Sequence, residues 1–149
     1  MENTINGSAS SAERKKQLPK RFLTDLPHVL IVDDNAILLR TVKDMFTGKF
    51  TVSTAISSSQ AFMAMSRKKP DIILLDYEMP IVNGEATLKM IREDENYKDI
   101  PVIFFTSSAD TEVVKKLIAL GPDGYILKPP NKEVMISQIN KTLFDHYAE

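Results

Sequence analysis

The sequence predicts an α/β fold in which a parallel sheet of five strands is covered by helices on both faces. Residues 71–75 contain four consecutive aliphatic side chains, a pattern typical of a strand that is buried on both faces. Short apolar runs of this kind alternate along the chain with segments of helical periodicity, which predicts right-handed strand–helix–strand units. Neither an internal repeat nor a second domain is visible, so we expect one doubly wound domain.

The predicted strands are short. They span residues 28–32, 50–55, 71–75, 100–105 and 124–127. Residues 50–55 alternate between polar and apolar side chains, which predicts an outer strand of the sheet, whereas the apolar runs at 28–32 and 71–75 predict buried strands.

A helix is predicted after each strand. Capping side chains mark four of the helix starts, namely Ser57, Asn83, Asp110 and Asn131. Gly48 and Gly121 are suited to ending the first and fourth helices. The apolar residues of the helical faces are Leu38, Val42, Met45, Leu88, Ile91, Val113, Val114, Leu117, Ile118, Ile136, Ile139 and Leu143.

Charge is unevenly distributed over the 149 residues, although the net charge is only −1. We expect a disordered polar and basic tail over residues 1–25 and a folded domain over residues 26–149. The folded part is mildly acidic, so it is a poor candidate for direct binding of nucleic acid. The basic cluster within residues 13–21 is interpreted as part of a solvated tail.

The composition also excludes several classes of site. The chain has no Cys and two His, which excludes disulfides and thiolate metal sites and disfavours a His-rich metal site. No apolar run approaches the roughly 20 residues of a membrane span, and the N-terminus lacks a signal-peptide core. We therefore expect no membrane contact and a cytoplasmic location.

Polar side chains stand at four predicted strand ends: Asp33 with Asp34, Asp76, Thr106 and Lys128. Each alone could be a turn, a cap or a surface charge, but the carboxyl ends of parallel strands meet at one edge of a sheet, where ligands bind. Packed carboxylates need a cation, and oxygen ligands favour a hard ion such as Mg²⁺. With an added ammonium and hydroxyl, the set suits phosphoryl transfer in which Asp76 is the nucleophile.

At this point the sequence resembles the receiver domain of two-component response regulators over about residues 27–147. The matching motifs are Val32-Asp33-Asp34-Asn35, Leu75-Asp76-Tyr77-Glu78-Met79-Pro80 with Asn83-Gly84, Phe105-Thr106-Ser107, and Gly124-Tyr125-Ile126-Leu127-Lys128-Pro129. The resemblance implies a flavodoxin-like (βα)5 fold with strand order 2-1-3-4-5. It also implies a phosphorylation-dependent signalling switch of a two-component system or phosphorelay.

The same resemblance implies roles for individual residues. Asp76 would accept the phosphoryl group from a phosphohistidine donor, which is a histidine kinase or a histidine phosphotransfer protein. Asp34 and Asp76 would ligate Mg²⁺ directly, the backbone carbonyl of Glu78 would add a third ligand, and Asp33 would act through a metal-bound water. Lys128 would pair with the phosphoryl oxygens.

Output and rate are implied at further positions. Thr106 would move toward the phosphoryl group and Tyr125 would change rotamer with it, which reshapes the face over residues 110–132 and the final helix. That face would bind a downstream protein or, on phosphorylation, a second copy of the chain. Glu78 and Ser108 vary in the family and would tune the rate. The peptide bond before Pro129 is often cis in this family.

Other interpretations remain open from the sequence. An aspartyl phosphohydrolase of the haloacid-dehalogenase type would favour a second Asp two residues after Asp76, where Glu78 stands. A flavodoxin-like cofactor binder would need a phosphate-cradling loop after the first strand. A receiver that no longer responds to phosphate is a further alternative. As a receiver, the chain would not be an enzyme in the turnover sense, and it would be either a stand-alone regulator or part of a larger protein.

Overall fold

The computed structural model describes residues 18–148, in which five strands alternate with five helices. The strands are β1 (His28–Val32), β2 (Thr51–Ala55), β3 (Ile72–Leu75), β4 (Val102–Thr106) and β5 (Gly124–Leu127). The helices are α1 (Ala36–Met45), α2 (Ser58–Arg67), α3 (Gly84–Glu93), α4 (Thr111–Ala119) and α5 (Lys132–Tyr147). A short 3-10 helix, Lys20–Phe22, precedes β1. The predicted alternation of strands and helices is therefore confirmed.

The five strands form one parallel sheet in the order β2-β1-β3-β4-β5, as predicted. At the end of β1, Val32 lies opposite Ala55 of β2 on one side and Leu75 of β3 on the other. Because every strand runs in the same direction, all five carboxyl ends lie along one side of the sheet, which we call the carboxyl edge. The opposite side, where the strands begin, is the amino edge.

Two hydrophobic cores cover the two faces of the sheet, as a doubly wound fold requires. One core packs α1 and α5 on the sheet; its members from these helices include Leu39, Val42, Met135, Ile139 and Leu143, and Phe46 joins it directly after α1. The other packs α2, α3 and α4 on the opposite face, and its helical members include Ala61, Met65, Leu88, Ile91 and Leu117. The interior strands are completely buried, which accounts for their continuous apolar sequences.

Each helix begins with a side chain that accepts a hydrogen bond from its first turn. The five caps are Asn35, Ser57, Asn83, Asp110 and Asn131. Four of these are the predicted ones. Within residues 18–148, no helix is both long and apolar enough to cross a membrane. Since capped helix starts follow the strand ends closely, the caps fix short loops along the carboxyl edge.

The helical faces differ from the prediction by one position in three places. Ile118 is 57% exposed, although it was expected on the apolar face of its helix. Met135 is completely buried while Ile136 is half-buried, and Leu39 is buried more deeply than Leu38. Neighbouring residues of a helix are about 100° apart around its axis. An apolar residue beside the true inward position therefore matches the periodicity but points partly to solvent.

The segment before β1 contacts the folded domain. The Phe22 side chain is buried and belongs to the core beside α5. Its ring packs edge-on against Tyr147, with the ring centroids 5.7 Å apart. Residues 1–17, which include most of the basic cluster, lie outside the described residues. The predicted tail and its boundary remain predictions, but the contacts of residues 18–22 are contacts with the domain.

Candidate functional site

Three carboxylates meet at the carboxyl edge. Asp33 and Asp34 follow β1, and Asp76 follows β3. The Asp33 N–H donates to the Ala55 carbonyl at 3.0 Å, and the Asp76 N–H donates to the Val32 carbonyl at 2.9 Å, so both residues prolong the sheet by one hydrogen bond. Among the described residues, these three acids form the one group that could hold a metal ion, with one oxygen from each within 4.8 Å of the others.

A single ammonium group faces these acids. The Lys128 Nζ lies 2.7 Å from Asp33 Oδ2 and 3.5 Å from Asp76 Oδ1. The backbone N–H of Lys128 donates to the Thr106 carbonyl at 2.8 Å, which fixes the residue at the end of β5. Its ammonium also lies 5.3 Å from the centroid of the Phe105 ring. One positive charge thus stands against three carboxylates, and the closer partner of Lys128 is Asp33.

Burial and the excess of carboxylates both affect the pKa of Asp76. Its side chain is buried, and burial, followed by the neighbouring charge of Asp33, raises the pKa of Asp76 to about 6. Lys128 opposes this rise without cancelling it. A cation between the carboxylates would remove the repulsion, so the acids fit a divalent metal ion in number, atom type and spacing.

Thr106 stands at the end of β4, the neighbour of β3, and its side chain is buried. Its hydroxyl oxygen accepts a hydrogen bond from the Ser108 N–H at 3.2 Å. The Ser108 hydroxyl in turn accepts one from the Asp110 N–H at 3.3 Å. Tyr125 of β5 lies opposite Phe104 in the sheet register. Thr106 is two residues beyond Phe104, so Thr106 and Tyr125 share one face of the sheet, where Tyr125 is half-buried.

The loop after β3 is held close to Asp76. The Glu78 N–H donates to Asp76 Oδ1 at 3.2 Å, while the Glu78 side chain is exposed. The Gly84 N–H donates to the Tyr77 carbonyl at 2.8 Å. A Cβ added to Gly84 would overlap the Asp76 carbonyl oxygen and would lie 2.6 Å from Tyr77 Cα. Only glycine therefore allows α3 to begin against the backbone that carries Asp76.

The structure brings Asp33, Asp34, Asp76 and Lys128 together, and it places Thr106 at the adjacent strand end. Glu78 and Ser108 contact Asp76 and Thr106, respectively, through their backbone N–H groups. Tyr125 lies on the sheet face and not at the edge. The Lys128–Pro129 peptide bond is cis. The chemical roles of these residues remain predictions.

Two features were missed from the sequence. The close Lys128–Asp33 pair joins residues 95 positions apart, and nothing local signals it. The steric need for Gly84 was missed as well, although the glycine was noted as part of a motif. A glycine that directly follows a capping Asn was the available signal, since such a glycine often marks close approach of two backbone segments.

Comparison with known proteins agrees with this geometry. The family model described as the response regulator receiver domain matches residues 29–140. A protein-glutamate methylesterase/protein-glutamine glutaminase of Trichodesmium erythraeum is 37% identical over 123 residues, which cover 77% of this chain and 34% of that protein. The sensor histidine kinase TmoS of Ectopseudomonas mendocina is 29% identical over 113 residues, which cover 76% of this chain and 12% of the kinase.

The chain thus spans only part of the curated relatives that it matches: 34% of the methylesterase and 12% of TmoS. It spans 7% of a third relative, the hybrid signal transduction histidine kinase D of Dictyostelium discoideum. Solved structures match over nearly their whole length. Chemotaxis protein CheY4 of Vibrio cholerae has a TM-score of 0.73 at 26% identity, with 79% of this chain and 99% of that chain covered. The signal receiver domain of a histidine kinase from Syntrophus aciditrophicus also has a TM-score of 0.73 at 26% identity, with 83% and 94% covered. The chain belongs to the response regulator receiver domain family of two-component signalling.

Proposed function

We propose that this chain is a phosphorylation-dependent signalling switch in which Asp76 accepts a phosphoryl group from a phosphohistidine donor. The observation that carries the proposal is the buried Asp76 carboxylate beside two further acids and one ammonium at the carboxyl edge. Receiver domains interact with histidine kinases or phosphotransfer proteins, so a member of one of these classes is the proposed donor.

The proposed reaction is an in-line transfer between side chains. A carboxylate oxygen of Asp76 attacks the phosphorus atom, the new O–P bond forms, and the P–N bond to the donor imidazole breaks. The imidazole nitrogen keeps the electron pair and takes a proton from solvent. Lys128, already 3.5 Å from Asp76, is placed to pair with the phosphoryl oxygens once its contact with Asp33 loosens.

Mg²⁺ is the proposed cofactor, held directly by Asp34 and Asp76 and by the Glu78 backbone carbonyl, with Asp33 acting through a metal-bound water. The donor set supports this, because it consists of oxygen atoms alone and its carboxylates exceed the available positive charge. Bound there, the ion would neutralise the acids and the incoming phosphoryl oxygens.

The proposed output runs through Thr106 and Tyr125. A hydroxyl that moves toward a phosphoryl group on Asp76 would leave space on the sheet face that Tyr125 shares. The face over residues 110–132 and α5 would then bind a downstream protein, or a second copy of the chain in a phosphorylation-linked dimer. Three exposed apolar side chains support an interaction surface there: Ile118, Leu127 and Val134.

The chain would not be an enzyme in the turnover sense, because the phosphoryl group ends on the protein itself. Its loss would require attack by water on the aspartyl phosphate. Glu78 and Ser108 are the proposed rate-tuning residues, since both lie two positions beyond a site residue and contact it through backbone N–H groups.

Incubation with acetyl phosphate and Mg²⁺, followed by intact mass measurement, tests the proposal. We expect the mass to rise by one phosphoryl group, and we expect no rise in excess EDTA. Asp76→Asn should abolish the labelling, because an amide of the same shape cannot attack phosphorus. Asp99→Asn, which alters an exposed acid away from the site, is the matched control and should label normally. Labelling that persists in Asp76→Asn would contradict the assignment.

A further inference from the structure

Two adjoining cavities open at the amino edge of the sheet, on the side opposite the three acids. The larger has a volume of about 640 Å³ and the smaller a volume of about 230 Å³. Arg21, Lys69 and Asp71 line both of them. The larger one, which we call the amino-edge cavity, falls within the range of about 300–1,000 Å³ that is typical of small-molecule sites.

Cationic side chains outnumber acids around the amino-edge cavity. Its charged lining residues are Arg21, Lys68, Lys69, Asp25 and Asp71. The carboxylate of Asp71 is already compensated, because it pairs with Arg21 at 3.4 Å and accepts from the His28 N–H at 2.7 Å. Within residues 18–148, neither lysine forms an ion pair. The cavity therefore has positive charge that the described part of the chain does not neutralise.

Arg21 is held in place although its side chain is 51% exposed. Its guanidinium carbon lies 4.2 Å from the centroid of the Tyr147 ring and 5.2 Å from that of the Phe22 ring. Phe22 is buried in the core, and the Tyr147 hydroxyl donates to the Asp71 carbonyl at 2.8 Å, so both rings are themselves fixed. An arginine has five N–H donors, and Arg21 uses one of them within residues 18–148. A stacked guanidinium with further donors is preorganised to bind an oxyanion through two parallel hydrogen bonds.

The buried side of the cavity is formed by His28, whose ring is held by the Ser53 hydroxyl 2.6 Å from its Nε2. Burial lowers the pKa of His28, and the neighbouring charge of Lys68 lowers it as well. The ammonium of Lys68 thus acts on the interior of the cavity and not only on solvent. An anion bound among these side chains would raise the pKa of His28, which makes this ring a reporter of binding.

The number of cations distinguishes between two kinds of oxyanion. A carboxylate has one charge and two oxygens, which Arg21 alone could satisfy, and it would leave both lysines without a partner. A phosphate group carries up to two charges and three acceptor oxygens, so it can engage the guanidinium fork and lysine ammoniums together. Thr24 and Thr51 add hydroxyl donors to the lining. The residues present therefore fit phosphate better than carboxylate.

We propose that the amino-edge cavity is a binding site for a phosphate-bearing ligand, held by Arg21, Lys68 and Lys69. The inference goes beyond the proposed phosphoryl transfer, because this site lies at the opposite edge of the sheet from Asp76. Arg21 would bind phosphate oxygens through its fork, and the two lysines would neutralise the remaining charge. A free phosphorylated small molecule and the phosphorylated head group of a lipid share this chemistry, so the experiment has one arm for each source.

The first arm titrates the full chain with pyrophosphate at low salt in EDTA and follows the ring resonances of His28 by NMR. Only one other histidine, His146, contributes signals of this kind. We expect a saturable shift with a Kd below about 1 mM and a rise in the pKa of His28. Arg21→Gln and the double variant Lys68→Gln/Lys69→Gln should each weaken binding by about ten-fold.

The double variant is the decisive one, because Arg21→Gln also removes the stacking on Tyr147, whereas both lysines are exposed. Lys115→Gln/Lys116→Gln is the matched control. It changes another pair of adjacent exposed lysines, which lie on α4, and should bind pyrophosphate as tightly as the unaltered chain.

The second arm measures sedimentation of the chain with phosphatidylcholine vesicles that contain or lack phosphatidic acid, whose head group is a phosphate monoester. Sedimentation that requires phosphatidic acid and is lost in Lys68→Gln/Lys69→Gln would support the site and assign it to a lipid head group. Binding of pyrophosphate without sedimentation would support the site and assign it to a soluble ligand.

Three results would overturn the inference. Sodium sulfate at the same ionic strength might shift the His28 resonances as strongly as pyrophosphate does, which would indicate an adventitious ion only. Equal affinity for pyrophosphate in the double-lysine variant and the unaltered chain would place the anion elsewhere. Neither a saturable shift of His28 nor sedimentation with phosphatidic acid would show that the cavity binds no phosphate group.

Discussion

The two edges of the sheet differ in whether the chain itself supplies partners for their polar groups. At the amino edge, Asp71 is satisfied by the chain itself. Its Oδ2 accepts from the His28 N–H at 2.7 Å, its Oδ1 pairs with Arg21 at 3.4 Å, and its carbonyl accepts from the Tyr147 hydroxyl at 2.8 Å. At the carboxyl edge, three carboxylates lie near one another, and the one ammonium of Lys128 contacts only Asp33 and Asp76.

The titratable groups report the same contrast. At the amino edge, burial lowers the pKa of His28, and the neutral ring is held by the Ser53 hydroxyl 2.6 Å from its Nε2. At the carboxyl edge, burial and the charge of Asp33 raise the pKa of Asp76 to about 6. The chain itself satisfies these polar groups at the amino edge, whereas the carboxyl edge retains a charge imbalance that a cation can relieve.

Close packing at the carboxyl edge should make Gly84→Ala the most damaging substitution. The new Cβ would meet the backbone of Asp76 and Tyr77, which cannot move without displacing the site. We expect a loss of about 3 kcal/mol in the free energy of unfolding, measured by urea denaturation. Gly121→Ala is the control, because Gly121 has a φ of +77° but open space around it, and should cost only about 1 kcal/mol. Equal losses in the two variants would show that the contact at Gly84 is not limiting.

Relieving the charge imbalance should raise the free energy of unfolding, whereas Gly84→Ala should lower it. The raised pKa of Asp76 means that the folded chain binds its proton more tightly than the unfolded chain. The free energy of unfolding therefore falls as pH rises from about 4 through about 6. Without Mg²⁺, Asp76→Asn should stabilise the chain at pH 7.5 by about 1–3 kcal/mol and should remove this pH dependence.

Urea denaturation at pH 5.0 and 7.5 in EDTA measures the effect. Asp99→Asn serves again as the control, since Asp99 is exposed and lies apart from the site. A variant at Asp76 that is less stable than the unaltered chain at pH 7.5 would mean that Lys128 already compensates the carboxylates.

Much of this contrast could be predicted from the sequence. Continuous apolar runs identified the interior strands, and their order along the chain placed Asp33, Asp34, Asp76, Thr106 and Lys128 at one edge. Parallel topology makes such a prediction robust, because every strand ends on the same side whatever the details of packing. The caps Ser57, Asn83, Asp110 and Asn131 were equally accessible, since capping is a local interaction between a side chain and the next turn.

Features that depend on distant contacts or on backbone geometry could not be predicted in this way. Phe22 lies in a polar segment, and its contact with Tyr147 at the end of α5 joins residues too far apart in the chain to be signalled locally. The φ angle of Ile81, +69°, could not be predicted because a β-branched residue argues against the conformation that the loop adopts. Ile118 shows the limit of periodicity itself, which assigns a face to within one residue and not to a particular side chain.

At the amino edge, we expect a smaller effect on the free energy of unfolding, with a pH dependence opposite to that of Asp76. Because the pKa of His28 is lowered by folding, its contribution to stability is present above about pH 6.5 and is lost as pH falls below that value. Asp76→Asn is the background of choice, since it removes the opposing dependence. In that background, His28→Gln should reduce the difference in the free energy of unfolding between pH 7.5 and 5.5 by about 1 kcal/mol or less. An unchanged difference would assign the acid sensitivity to other groups.

The smallest effect on stability, yet a clear one on signalling, is expected for Glu78→Ala. The side chain is exposed, so the free energy of unfolding should change by less than about 0.5 kcal/mol. Mg²⁺ affinity should change little as well, because the proposed ligand is the backbone carbonyl and not the carboxylate. The lifetime of the phosphorylated chain, measured by intact mass after removal of acetyl phosphate, should change several-fold if the Glu78 carboxylate has its proposed effect on the attacking water. A longer lifetime in the variant would mean that Glu78 orients that water, and a shorter one that it repels hydroxide.

Glu93→Ala is the control, because Glu93 is an exposed acid at the far end of α3. A lifetime equal to that of the unaltered chain would show that Glu78 points away from Asp76 and that the exposed acid contributes nothing to the chemistry of this edge.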